Sequence, residues 1–250
     1  MTDFAFLHGG GQGSWVWDET IEALKQQTGM HQSPEAHRYL ALDAPGCGAK
    51  RGRDTSATEF IDITCELNTD IVEADMRDVV LVGHSQAGMT MPQMAEIAPG
   101  LFRKLVFVTC TMPLPGKTTL DQMGLGLHGQ NPDQVGWPVD PVSASMEDRL
   151  HLMFCNDMDD AAASAFMAKL GKDQWPACCY SYSDWKADHL AALPVVYVQC
   201  LQDLALPPEW QKRFAERLHA DRAIYLDAGH QAMNTRPQAL AEILLAEAGA

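Results

Sequence analysis

Ser85 sits in 81-LVGHSQAGMT-90, between a short apolar run and a cluster of small residues. Glycine two positions before a serine, with small residues after it, suits a strand that turns sharply into a helix. Such a corner lifts the serine Oγ clear of the backbone, and the N–H of the next residue, Gln86, points into the same space. Negative charge developing on an attacked carbonyl oxygen would be stabilised there by that N–H and by the positive end of the helix. Ala87 stands where a glycine is usual, and Gly88 follows it.

A serine nucleophile needs a base, and the base needs an acid to orient it. Each should stand in a loop just after a strand, because those loops share one edge of a parallel sheet. His230, in 226-LDAGHQAM-233, and Asp203, in 199-QCLQDLALPP-208, meet that condition. Asp227 is the runner-up acid, but it shares the loop of His230 and lies only three residues away. His8, His31, His37, His84, His128, His151, His189 and His219 fall in other loops, connections or helices. The stretch 7-LHGGGQGSW-15 follows the first apolar run directly. Clustered glycines cost ordering entropy, roughly 0.5–1 kcal/mol each, so close backbone approach to a reacting group is their expected return. The N–H of Gly10 is the expected second oxyanion donor beside that of Gln86. A phosphate-cradling glycine loop fits poorly, since no Lys-Ser/Thr follows and no acidic residue closes the second strand in the ribose-binding position.

The elements that must position these groups are legible as short apolar runs: Phe4–Leu7, Tyr39–Leu42, Val79–Val82, Leu105–Val108, Val195–Val198 and Ala223–Leu226. Helical stretches are expected over about 17–26, 57–75, from the Ser85 corner to 98, and from a Thr-x-x-Gln capping box at 235-TRPQ-238 onward. Pro92 predicts a bend in the helix after the corner. Strands buried on both faces and separated by helices imply an α/β fold, a mostly parallel six-stranded sheet flanked by helices. Residues 113–190 hold no convincing strand, six prolines and several short amphipathic stretches. A connection that long implies a task, and it is expected to be a helical cap (lid) between strands four and five. The core would then comprise 1–112 and 191–250.

The 250 residues fit one large domain. The net charge of −15 argues against nucleic acid and against anionic membranes as partners. No run nears the ~20 apolar residues a spanning helix needs. Seven cysteines without a C-x-x-C spacing read as buried hydrophobes in a reducing, cytoplasmic setting. The nine histidines lack zinc-site spacing, so no metal and no cofactor is expected.

Together, 8-HGGG-11, 43-DAPGCG-48, 83-GHSQAG-88, Asp203 and 229-GH-230 resemble the α/β-hydrolase family. The branch holding plant methylesterases and hydroxynitrile lyases is most similar, on 8-HGGGQGSWVW-17, 111-TMPLPG-116, 153-MFCND-157 and Leu206-Pro207 after Asp203. The lyases of that branch resemble one another in a threonine after the loop histidine and a lysine after the catalytic one. Here those positions are Gly9 and Gln231, so no cation is available to hold departing cyanide. The longer link from Gln26 to His37 is not explained by the resemblance. The resemblance implies a serine hydrolase with Ser85 as nucleophile, His230 as base and Asp203 as orienting acid. Gly9, Trp137, Met153, Phe154, Trp175 and Gln231 are the expected substrate-binding residues. The apolar cap favours carboxylic esters of small to medium hydrophobic substrates. A lactone, such as an acyl-homoserine lactone, is the nearest competitor, and a non-catalytic ligand sensor is the rival from another class. The apolar cap also allows a homodimer.

Overall fold

The structure, a computed structural model, describes residues 2–29 and 37–249. Six strands form one sheet in the order β2-β1-β3-β4-β5-β6: β1 (Thr2–Leu7), β2 (His37–Leu42), β3 (Val79–His84), β4 (Phe102–Val108), β5 (Val195–Cys200) and β6 (Arg222–Leu226). Every pairing is parallel. All six expected apolar runs are strands, several of them longer at their N-terminal ends. The chain leaves β1 for the edge strand β2 and returns across β1 to form β3. The crevice beyond the carboxyl ends of β1 and β3 is therefore the topological switch point, where ligands bind in open α/β sheets.

Alternation along the strands explains both faces. Ala5, Leu7, Leu81, Leu105, Phe107, Val195 and Tyr197 point one way and pack with α2 (Phe60–Glu73), α3 (Ala87–Ile97) and α8 (Pro208–Arg217). Phe4, Phe6, Val80, Val82, Val106, Val108, Val196 and Val198 point the other way, toward α1 (Asp18–Gln27) and α10 (Pro237–Gly249). Central strands buried on both sides read as continuous apolar runs. The edge strand β6 alternates less cleanly and leaves Tyr225 exposed. A buried ion pair, Lys104 Nζ to Glu247 Oε2 at 3.2 Å, ties α10 to β4, and Arg222 also bonds Glu247.

Between β4 and β5 the chain makes the expected excursion. It carries α4 (Thr119–Met123), α5 (Met146–Cys155), α6 (Asp160–Met167) and α7 (Cys178–Ser181), and its only strand-like pairing is a bridge between Leu127 and Trp137. Asp173 pins this excursion to the core. Its buried carboxylate accepts hydrogen bonds from Gly48 N (2.8 Å), Trp15 Nε1 (3.0 Å) and the Arg51 fork (2.8 and 2.9 Å). Burial pushes this carboxyl up, but bonds from Arg51, Trp15 and Gly48 outweigh it and hold it below the ordinary 3.8. The fold thus favours the ionised form. Its contribution is complete above about pH 5 and is lost as pH falls through the lowered folded value. Asp173→Asn is accordingly expected to lower the thermal midpoint at pH 7. The gap to the parent chain should close in a melting series taken down toward pH 2.

One local expectation needs correction. No capping box forms at 235-TRPQ-238: Thr235 ends the short helix α9 (Ala232–Thr235), its hydroxyl has no partner, and α10 starts at Pro237. Thr20 Oγ1 holds α9 by donating to Met233 O at 2.9 Å, which claims Thr235 for the preceding turn. Pro92 sits inside a continuous α3, where its carbonyl accepts from His189 Nε2 at 2.8 Å. Most of the link from Gln26 to His37, including His31, lies outside the described residues.

Candidate active site

The register of the sheet aligns the strand ends that matter. Leu7 pairs with Gly83, His84 with Val108, Val108 with Val198, and Cys200 with Leu226. The residues immediately after β1, β3, β4, β5 and β6 therefore converge on one edge. Backbone bonds from Leu201 N to Leu226 O and from Gln202 N to Ala228 O, both 2.9 Å, draw the last two of these loops together.

Ser85 lies at φ +53°, a left-handed conformation that costs a non-glycine residue energy. The surroundings enforce it. Ser85 N donates to Val108 O (3.2 Å) and Ser85 O accepts from Thr111 N (3.0 Å). The small residues are required by close approach: a Cβ at Gly83 would stand 2.0 Å from Met91 Sδ and 2.9 Å from Ala87 Cβ, and one at Gly88 would stand 2.4 Å from Thr111 O. Gly88 thus meets a steric need on the face Ala87 does not occupy.

His230 Nδ1 donates to Asp203 Oδ2 at 2.7 Å, and Ser85 Oγ donates to His230 Nε2 at 3.0 Å. A carboxylate can only accept, so the ring proton resides on Nδ1 and leaves Nε2 free to take the serine proton. Asp203 is fully occupied. Its Oδ1 accepts from Ala205 N (2.7 Å) and Leu206 N (2.8 Å), and Thr109 Oγ1 bonds Oδ2 beside the imidazole. Thr109 is a β-branched residue at φ +38°, strained so that its hydroxyl meets the acid. His84 is buried, and its pKa is pushed well below 6.5 by that burial and then by the neighbouring His230. Its neutral ring donates through Nε2 to His230 O at 2.9 Å and packs 4.6 Å from the His230 ring. Phe154 also packs edge-on against the His230 ring, at 5.2 Å.

The N–H groups of Gly10 and Gln86 have no hydrogen-bond partner among the described residues, and both residues line a cavity of about 360 Å³ that Ser85 and His230 enter. Its walls include Trp137, Met153, Phe154, Met123, Leu206 and Tyr180, and among the described residues no carboxylate, lysine or arginine lines it. Three expected substrate-binding residues do not line this cavity. Gly9 lies behind it, where an added Cβ would stand 2.9 Å from both Ser85 Cβ and His84 Nδ1, so a threonine there would displace the nucleophile. Trp175 is buried beneath the glycine loop. Gln231 is fully buried at the start of α9, and neither of its side-chain polar atoms has a partner among the described residues.

Several site residues carry no sequence signal of their own. Thr109 and Tyr180 are two. Asn156 and Asp157 are visible in the sequence only as part of 153-MFCND-157, with no role attached: at the end of α5 they hold the triad loops, through Asn156 Nδ2 to Gln202 O (2.7 Å) and Gly229 N to Asp157 Oδ2 (2.8 Å). Among the described residues no cluster of His, Cys, Asp or Glu is placed to hold a metal ion, and no helix is long and apolar enough to cross a membrane.

This sheet, the strained serine corner and the serine–histidine–aspartate array define a hydrolase-type α/β scaffold. The chain belongs to the alpha/beta hydrolase family, whose model matches residues 4–243. Its curated relatives include putative chloroplastic methylesterase 11 of Arabidopsis thaliana, 26% identical over 257 residues. That match spans 97% of this chain but only 63% of the relative, so the chain covers less than two thirds of that protein's length. Salicylic acid-binding protein 2 of Nicotiana tabacum is 25% identical over 274 residues, with 97% and 95% covered. Polyneuridine aldehyde esterase of Rauvolfia serpentina is 24% identical over 262 residues, with 97% and 94% covered. A pyrethroid hydrolase from Sphingobium faniae superimposes with a TM-score of 0.77 at 21% identity, covering 100% of this chain and 98% of that one. An extracellular alpha/beta-hydrolase from a Paenibacillus species gives 0.74 at 21% identity, with 99% of each covered. The expected branch, with its methylesterases, is therefore the right one.

Proposed function

We propose that the chain is a serine hydrolase that cleaves carboxylic esters of small to medium hydrophobic substrates through an acyl-enzyme. The observation that carries this reading is the relay from Ser85 Oγ through His230 to Asp203 at the wall of an apolar cavity. Ser85 attacks the ester carbonyl while His230 Nε2 takes its proton. The same proton then goes to the departing alcohol oxygen as the C–O bond breaks. Asp203 holds the Nδ1–H tautomer and stabilises the imidazolium. The N–H groups of Gly10 and Gln86 receive the oxyanion, a contribution worth on the order of 100-fold in rate for each donor. Water, deprotonated by His230, attacks the acyl group in turn and releases the acid.

The excursion at 113–190 acts as a cap, since Trp137, Met153 and Phe154 from it wall the cavity. Absence of a charged lining group favours an uncharged, hydrophobic substrate. Relatives named as methylesterases support an ester with a small alcohol part, and one named as a polyneuridine aldehyde esterase supports ester hydrolysis. The crowding at Gly9 and the uncharged Gln231 both disfavour cyanide-releasing lyase chemistry. The cytoplasmic setting and the homodimer expected above belong to the same reading, the second testable by light scattering.

A chain-length series of alkyl esters run beside acyl lactones of equal carbon number tests the substrate class. Highest kcat/KM is expected for short- to medium-chain open esters. Predominant lactone turnover would overturn the simple-ester assignment.

A further inference from the structure

The backbone amide of Gly10 shares a peptide unit with the carbonyl of Gly9. In a trans peptide the N–H and C=O point in opposite directions, so whatever holds the oxygen aims the hydrogen. Two buried donors hold Gly9 O: His8 Nδ1 at 2.8 Å and Trp175 Nε1 at 3.0 Å. His8 Nε2 accepts from Ala44 N at 3.2 Å, which leaves its proton on Nδ1 for Gly9. The His8 and Trp175 rings pack edge-on at 5.3 Å. On the other side of Gly10, Gly11 O accepts from Gly171 N at 2.8 Å. Trp175 and Gly171 both belong to the excursion between β4 and β5.

The donors are themselves anchored. Asp173 is locked to Gly48, Trp15 and Arg51, and Gln174 N donates to Gly46 O at 3.4 Å. Gly46 is forced by the same contact: at φ +86°, any Cβ would stand 2.4 Å from Gln174 O. Residues 171–175 thus run as a braced strap against the glycine loop, with Gly171 and other parts of the excursion at the cavity wall and Trp175 buried beneath the loop.

We propose that Trp175 is a positioning residue of the oxyanion hole: its indole N–H, presented by the 171–175 strap, sets the direction of the Gly10 N–H. The inference rests on the esterase reading above. It gives the excursion a second task, because the segment that covers the substrate also completes the catalytic hole. Trp175 is not a substrate contact in this account, since it lies 3% exposed beneath the loop.

Trp175→Phe keeps an aromatic ring and removes the N–H. For an ester the parent chain hydrolyses, kcat should fall about 10-fold with KM little changed, as expected when one oxyanion donor is misaimed rather than deleted. A thionoester of the same structure supplies the discriminating readout. Its thiolate-like anion is a poor hydrogen-bond acceptor, so its rate depends less on the hole. The oxo-to-thiono rate ratio should therefore drop several-fold in the variant, which a general loosening of the fold would not cause. If Trp175→Phe does not fold, installing benzothienylalanine at 175 keeps the bicyclic shape, places sulfur where the N–H was, and is read the same way. An unchanged ratio with unchanged kcat in a folded variant would overturn the inference and leave the esterase reading intact. Failure of the parent chain to hydrolyse any ester would instead remove the reading on which it rests.

Discussion

Ser85→Ala and His230→Ala are each expected to lower kcat by about 10⁶-fold on a reactive ester, and the double variant to be no slower than either. The reason is geometric. Ser85 Oγ has one proton acceptor, His230 Nε2 at 3.0 Å, and that acceptor has one task in the resting enzyme. Removing either member abolishes the acyl-enzyme route, so removing the second finds nothing left to remove. Rates that multiplied across the double variant would mean that the two side chains act independently, contrary to the relay. Ser85→Ala also relieves nothing large in the fold: the strain at φ +53° stays in the backbone, which Val108 O and Thr111 N continue to hold. Its thermal midpoint should remain near that of the parent chain.

Asp203→Asn is expected to cost about 10⁴-fold in kcat with little change in KM. Here too the hydrogen bonds decide. The amides of Ala205 and Leu206 donate to Oδ1, so the asparagine carbonyl must face them. Its NH₂ is then turned toward His230 Nδ1 and Thr109. An NH₂ donates, which forces Nδ1 to become the acceptor and moves the ring proton to Nε2. His230 would then present a proton to Ser85 Oγ instead of a lone pair. Thr109 can adapt, because a hydroxyl accepts as readily as it donates. Stopped-flow acylation rates across pH 5–9 check this. A deficit under 10-fold throughout would show that Asp203 does not set the tautomer.

The three residues of the relay were legible because each stands in the turn or loop just after a strand, and a parallel sheet delivers all such positions to one edge. The glycine loop and the Ser85 corner were legible for a related reason: clustered small residues are costly unless backbones pass closely, as Gly83 and Gly88 do. What escaped the sequence depends on contacts between distant segments. Nothing about Thr109 marks it for a left-handed backbone or for a bond to Asp203, which lies far along the chain. Asp173 looks like an ordinary polar residue of a loop-rich excursion, yet it anchors that excursion, and the motif 153-MFCND-157 gives no sign that Asp157 grips the His230 loop. Trp175 is expected among the substrate-binding residues because it belongs to an apolar excursion. Its N–H instead sought the nearest buried carbonyl, Gly9 O, and the ring went under the loop. Gln231, next to His230, was expected in the cavity. The tight turn into α9 carries its side chain into the interior instead. At 235-TRPQ-238 the local capping signal lost to packing, since α9 is tied to α1 through Thr20.

Incubating the pure protein with a serine-reactive alkyl phosphonate and recording the intact mass tests the central claim most directly. A single adduct is expected, absent from Ser85→Ala and formed far more slowly in His230→Ala. A folded parent chain that remains unmodified at saturating reagent would contradict an activated serine at this site.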